Sequence, residues 1–171
     1  MKVLFCLFLG TVLGSIWIQE KTLTGQFTSM EVDEQGDVYL VNSDKHLIKL
    51  DSNLDTLFVF NEKSVEVDFV APQNALKVLI FNQSLNTIQF LDKTLSPSAD
   101  EINLDEVNIP LVEAIGISKD NNFWLFDQYE QSLKKFDTKM NMISTSGNLV
   151  NITGSSWSPY QLKEIGNNIF V

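Results

Sequence analysis

The run Asp120-Asn121-Asn122-Phe123-Trp124-Leu125-Phe126-Asp127, continuing to Ser132-Leu133-Lys134-Lys135-Phe136-Asp137, decides the fold. It reads as a turn, an apolar strand, a second turn, and a second strand closed by Asp. The same order occurs in Gly36-Asp37-Val38-Tyr39-Leu40-Val41 with Leu47-Ile48-Lys49-Leu50-Asp51. It returns in Leu76-Lys77-Val78-Leu79-Ile80-Phe81 with Thr87-Ile88-Gln89-Phe90-Leu91-Asp92, and begins again at Gly166-Asn167-Asn168-Ile169-Phe170-Val171.

The spacing is countable. Val38 to Val78 is 40 residues, Val78 to Phe123 is 45, and Phe123 to Ile169 is 46. The closing aspartates agree, at 41 from Asp51 to Asp92 and 45 from Asp92 to Asp137. Between these anchors the chain reads as short strands separated by Gly, Asn, Asp and Ser. A period of about 40–50 residues with four strands per unit is the pattern of a β-propeller blade. The middle strands Val-Tyr-Leu-Val, Val-Leu-Ile-Phe and Phe-Trp-Leu-Phe do not alternate apolar with polar. A strand apolar on both sides has to be covered on both sides, as it is between two neighbouring blades.

The expected fold is therefore all-β. It is a partial β-propeller of three four-stranded antiparallel blades, at about 27–62, 65–106 and 111–152, plus the start of a fourth at 158–171. Pro72-Gln73-Asn74 reads as a turn, and Ser144–Ile152 is expected to hold the last strand of the third blade. The segment Ser158-Pro159-Tyr160-Gln161-Leu162-Lys163-Glu164-Ile165-Gly166 has an N-cap Ser, Pro at the first helical position and a terminal Gly. By itself it suggests a two-turn helix. Its place in the repeat makes it a blade's first strand, and so short a helix would be marginal without packing.

Three blades and two strands do not close a ring, which takes about four to eight blades. An open face would leave some six to eight large side chains wet, a loss of roughly 10–20 kcal/mol. That equals the whole stability of an ordinary domain, about 5–15 kcal/mol. We therefore expect an N-terminal piece of a longer protein, with the remaining blades supplied by the same protein. A strand within residues 16–26 would then close the ring as the outer strand of the last blade.

Met1-Lys2 precedes an apolar run from Val3 to Gly14 that holds one polar residue, Thr11. This is the form of a signal peptide over residues 1–15, with an uncleaved anchor as the alternative. The expected location is the periplasm or cell envelope, with membrane contact only through this segment. Cys6 sits inside the apolar run, where a lipidation cysteine does not belong.

The net charge is −10 and the pI about 4.4, which argues against a nucleic-acid partner. Cys6 and His46 are single. Their number excludes a disulfide framework, the usual Cys/His zinc site and a Cys-His dyad. His46 is expected to be a solvated strand-end residue. Asp33-Glu34-Gln35-Gly36-Asp37 places three carboxylates around a glycine, but without a calcium-loop pattern it reads as a hairpin turn. Asp51, Asp92 and Asp137 stand at equivalent places in three units. This predicts a turn role, accepting backbone N–H groups, rather than catalysis. Ser84, Ser98 and Ser155 have no nearby base, and no glycine-rich phosphate loop is present. Trp124 and Phe126 lie in a core strand and are expected to pack.

The signal segment, Met30-Glu31-Val32-Asp33 to Val41, the entry Pro72-Gln73-Asn74-Ala75-Leu76-Lys77-Val78-Leu79, and Asp120–Asp127 with Leu133-Lys134-Lys135-Phe136-Asp137 together resemble a family of exported, uncharacterised six-bladed propeller-type proteins of Gram-negative bacteria. The resemblance covers most of residues 27–171. It implies export and six blades, and it carries no active site to transfer.

The leading expectation is a non-catalytic exported scaffold that binds an envelope protein or surface ligand through blade loops. No catalytic residue, metal site or cofactor is expected. Tyr129, at the polar hairpin tip Gln128-Tyr129-Glu130-Gln131, and Trp157, in a serine-rich loop, are the candidate partner contacts. The alternative is an enzyme, a lyase or hydrolase, with a central-channel site partly in the missing blades. The inner strands here would offer it Glu31, Asp68 and Glu113, and the chain has no Arg.

Overall fold

The computed structural model describes residues 21–62, 65–74 and 76–171. The signal segment and residues 16–20 of the expected ring-closing strand lie outside these residues. Of that strand, residues 21–26 are described and belong to no regular strand.

Three four-stranded antiparallel sheets follow one another in chain order. The first is β1 (Phe27–Val32), β2 (Val38–Asn42), β3 (Leu47–Leu50) and β4 (Thr56–Phe60). The second is β5 (Phe69–Asn74), β6 (Lys77–Asn82), β7 (Thr87–Leu91) and the two-residue β8 (Ile102–Asn103). The third is β9 (Val112–Ile117), β10 (Phe123–Asp127), β11 (Ser132–Phe136) and β12 (Met142–Thr145). A hairpin of β13 (Lys163–Ile165) and β14 (Asn168–Phe170) completes the described chain. Strands in each sheet are paired strictly in sequence order, so every connection is local. The first strands stand side by side, β1 by β5, β5 by β9 and β9 by β13.

The apolar middle strands are covered on both faces, by different neighbours. Tyr39 and Val41 of β2 pack with Val78 and Ile80 of β6. Leu79 and Phe81 of β6 point the other way, into a cluster with Ile115, Ile117, Phe123 and Leu125 of the third sheet. Phe126 of β10 turns away from that cluster to meet Leu133 and Leu162, with Trp124, Trp157 and Ile169 alongside. The period-2 pleat thus sends alternate residues to alternate neighbours, which is why none of these positions is polar. Phe123, wholly buried, has Phe90 at 5.9 Å and Phe136 at 6.0 Å between ring centroids.

Close approach at one glycine seats the last hairpin. Gly116 lies opposite Trp124 in the sheet, and a Cβ there would come within 2.4 Å of the Leu162 carbonyl oxygen. The absence of a side chain lets residues 160–165 lie against β9. Within Ser158–Gly166 no helix forms. Lys163–Ile165 make the short strand β13, as the place in the repeat predicts, and residues 158–162 belong to no regular element.

Two local readings need correction. Pro72–Asn74 belongs to β5, with a register shift between Ala71 and Asn74, and is not a turn. β5 is an edge strand, where a residue without an N–H is tolerated. The last strand of the third sheet is Met142–Thr145, and Leu149–Thr153 forms the short helix α1. The β-branched residues there suggested a strand, but the caps decide. The Asn148 side chain accepts from the Asn151 N–H, and Gly154 at φ 76° donates its N–H to the Val150 carbonyl.

Candidate functional site

Alternating strands give the molecule two rims. The lower rim carries the first-to-second and third-to-fourth strand turns. The upper rim carries the second-to-third tips and the links between blades. Contacts between blades fix this assignment. Lys49 reaches the Lys93 carbonyl at 3.3 Å, and Lys119 reaches the Gly166 carbonyl at 2.7 Å, both along the lower rim. On the upper rim the Val67 N–H donates to Lys45 (3.0 Å), Gln128 to Leu111 (2.9 Å) and Leu149 to Gln131 (2.8 Å).

The lower rim is built from one turn used repeatedly. Asp51 Oδ1 accepts the N–H groups of Asn53 (2.9 Å) and Asp55 (2.8 Å). Asp92 Oδ1 accepts those of Thr94 (2.8 Å) and Ser96 (3.0 Å), and Asp137 Oδ1 those of Lys139 (2.8 Å) and Asn141 (2.9 Å). Asp33 does the same for Gln35 (2.9 Å) and Asp37 (3.0 Å) and also accepts the buried Tyr39 hydroxyl at 3.2 Å. The turn role expected of the repeat-end aspartates holds, and the Asp33–Asp37 carboxylates are part of the same device. Among the described residues no His/Cys/Asp/Glu group is arranged to hold a metal ion. Hydrogen bonds hold the carboxyls below the usual range: chiefly from the Asp55 backbone for Asp51, the Thr94 hydroxyl for Asp92, and the Asn141 side chain for Asp137. Burial would raise the Asp120 carboxyl, but Lys135, Ser118 and Asn122 outweigh it and hold it far down.

The first strands enclose a cavity of about 770 Å³ between β1, β5, β9 and residues 160–166. Its charged groups face one another. Glu31 accepts from Gln161 Nε2 at 2.7 Å and pairs with Lys163 at 3.1 Å. Glu164, missed in the sequence, accepts from Ser118 Oγ at 2.6 Å and from the Trp124 indole at 2.7 Å, with Lys135 at 4.0 Å. Trp124 is thus a half-buried hydrogen-bond donor as well as a packing residue, and its N–H was the signal for a polar partner across the blades. Asp68 pairs with Lys45 at 2.5 Å and accepts the Gln83 N–H at 2.8 Å, while Glu113 accepts from Ser158 at 2.7 Å. Asp68 lines the same cavity as Glu31, whereas Glu113 is not among the residues that line it.

Large apolar side chains are exposed along the upper rim. Tyr129 and Tyr160 are each 81% exposed, and Leu85, Val107, Leu111 and Ile152 are exposed with them. Trp157 is half-buried. Its N–H donates to Gln131 Oε1 (2.7 Å), its carbonyl accepts from Gln131 Nε2 (3.1 Å), and its indole donates to Thr153 Oγ1 (2.9 Å). Trp157 therefore ties the link of the last hairpin to the Tyr129 tip. His46, half-buried at the β2–β3 tip, donates its backbone N–H to Asn42 Oδ1 (2.9 Å), and its carbonyl accepts the Asn42 N–H (3.0 Å).

No protein-family model matches the chain, and no curated protein matches it in sequence. Solved structures do match in shape. The WD40 domain of Neurospora crassa Pan2 superposes with a TM-score of 0.57 at 8% identity, over 82% of this chain and 41% of that one. Virginiamycin B lyase from Staphylococcus aureus gives 0.55 at 10%, over 78% and 43%. The WD40 β-propeller domain of Doa1 gives 0.55 at 12%, over 76% and 41%. The chain has a β-propeller-type fold, and it spans about two-fifths of the length of the structures it matches.

Proposed function

We propose that the protein is a non-catalytic, exported propeller scaffold that binds a protein or surface ligand through the loops of its upper rim. The propeller fold is commonly a binding scaffold, and the carrying observation is the upper rim itself. Its tips leave Tyr129 and Leu85 in solvent, and Tyr160 is exposed in the link before β13, where it also lines the cavity. The cavity carboxylates Glu31 and Glu164 are held by neighbouring side chains. Tyr129 is the expected contact, with Trp157 holding its tip in place. Export rests on the N-terminal signal pattern and the six-bladed ring on the family resemblance.

The alternative, a lyase or hydrolase acting in the channel, has the cavity between the first strands in its favour. A photo-crosslinking residue placed in cells at Tyr129 or, separately, at Asn53 on the lower rim separates the readings. The scaffold predicts an adduct from position 129 and none from 53. Equal adducts, or none at 129, contradict it. Sequencing the N-terminus of the mature chain tests export, which predicts a start near Ser15.

A further inference from the structure

The partner's chemistry is written in the charge of the upper rim. Tips and links hydrogen-bond to one another from Lys45 through Val67, Asn86, Ile109, Leu111 and Gln131, so the rim is one continuous surface. Its exposed side chains Leu85, Val107, Leu111, Tyr129, Ile152 and Tyr160 are apolar or aromatic. Acidic groups are interleaved with them. Asp44, Glu66 and Glu106 are exposed and have no ion-pair partner among the described residues. The described lysines that reach this rim, Lys45 and Lys134, are already used. Lys45 pairs with Asp68, and Lys134, nearly buried, pairs with Asp127 and Glu130 at 2.7 Å each. Lys93, Lys119, Lys135 and Lys139 stand instead toward the lower rim.

We infer that the upper rim binds a cationic polypeptide segment that alternates basic with apolar side chains. This rests on the scaffold reading above and names its partner class. Apolar residues of the segment would cover Tyr129, Tyr160 and Leu85, and its basic residues would meet the unpaired carboxylates. A second copy of the chain is disfavoured because each carries a net charge of −10. Anionic lipid is disfavoured for the same reason.

The test titrates the full chain with a fluorescent peptide of about twelve residues alternating Lys and Phe, in low salt, and repeats it with Glu in place of Lys. The lysine peptide binds and the glutamate peptide does not. The Tyr129→Ala/Tyr160→Ala double variant, which leaves charge unchanged, weakens binding about tenfold or more. Leu76→Ala on the lower rim leaves it unaltered. Leu85→Ser, on another blade, gives a smaller loss and serves if the double variant misfolds by circular dichroism. The inference is overturned if neither peptide binds, if both bind alike, or if the upper-rim variants bind as the wild type does. Binding to phosphatidylglycerol vesicles, or self-association lost in the double variant, overturns it in favour of those occupants. A crosslinked partner at position 129 that presents an acidic segment overturns the inference and leaves the scaffold reading intact. Crosslinks confined to position 53 overturn both.

Discussion

The two rims of this propeller use the same strands and opposite surface chemistry. On the lower rim, four aspartates accept N–H groups two and four residues ahead, and large tip residues turn inward: Leu95 is buried and Met140 packs against the core. On the upper rim, Asn42, Asn82 and Asp127 also cap their tips, but Leu85 and Tyr129 point into solvent. Both rims satisfy their backbone. They differ in what is left over. The lower rim turns Leu95 and Met140 into the fold, with Leu76 left exposed, and the upper rim keeps several large apolar side chains that the fold does not use. Val32 and Ile165 are exposed toward the lower rim as well, so the contrast is between tips. The upper-rim tips present Leu85 and Tyr129, and exposed apolar groups gathered along one rim mark an interaction surface.

The largest way to break the comparison is at Asp33. Removing its carboxylate by Asp33→Ala leaves two turn N–H groups and the buried Tyr39 hydroxyl without their acceptor. The expected loss is about 2–4 kcal/mol in urea unfolding. Gly116→Ala comes next. Its Cβ would meet the Leu162 backbone, so the hairpin β13–β14 must shift, at about 1–3 kcal/mol. Faster amide exchange should be confined to residues 155–170, and the upper rim should lose the Tyr160 end of its surface while the Leu85 end stays.

Acid should act on the lower rim first. The carboxyls of Asp51, Asp92, Asp120 and Asp137 are held below their unfolded value. Groups shifted this way stabilise the fold above the unfolded value of about 4 and lose that contribution as pH falls through the folded values. Thermal midpoints should therefore decline progressively below about pH 4. Asp51→Asn, which keeps an acceptor oxygen but cannot titrate, should flatten part of that decline. A midpoint that does not change between pH 5 and pH 3 would contradict the turn assignment.

What the sequence made legible was whatever repeats. The apolar middle strands, the 40–46-residue spacing and the closing aspartates each recur, and each has the place expected of it. What it hid depends on neighbours far along the chain. Pro72 is compatible with a strand only because β5 is at a sheet edge. The run Val150-Asn151-Ile152-Thr153 is strand-like in composition, yet the caps Asn148 and Gly154 close it into α1. Glu164 meets Trp124 from 40 residues away, and no local pattern joins them. The upper-rim surface was half legible. Tyr129 stood out as an aromatic in a polar tip, and Leu85 in Asn82-Gln83-Ser84-Leu85-Asn86 carried the same signal unread. Leu111, Val107 and Tyr160 join them only once the links fold over the tips.

The most direct measurement is urea unfolding of the full chain carrying Leu85→Ser, Tyr129→Ala and Tyr160→Ala together. If the upper rim is surplus to the fold, the three changes shift stability by no more than about 0.5 kcal/mol, as surface substitutions do. A loss comparable to that of Asp33→Ala would place these side chains in the packing of the molecule and contradict the reading of the upper rim as a binding surface.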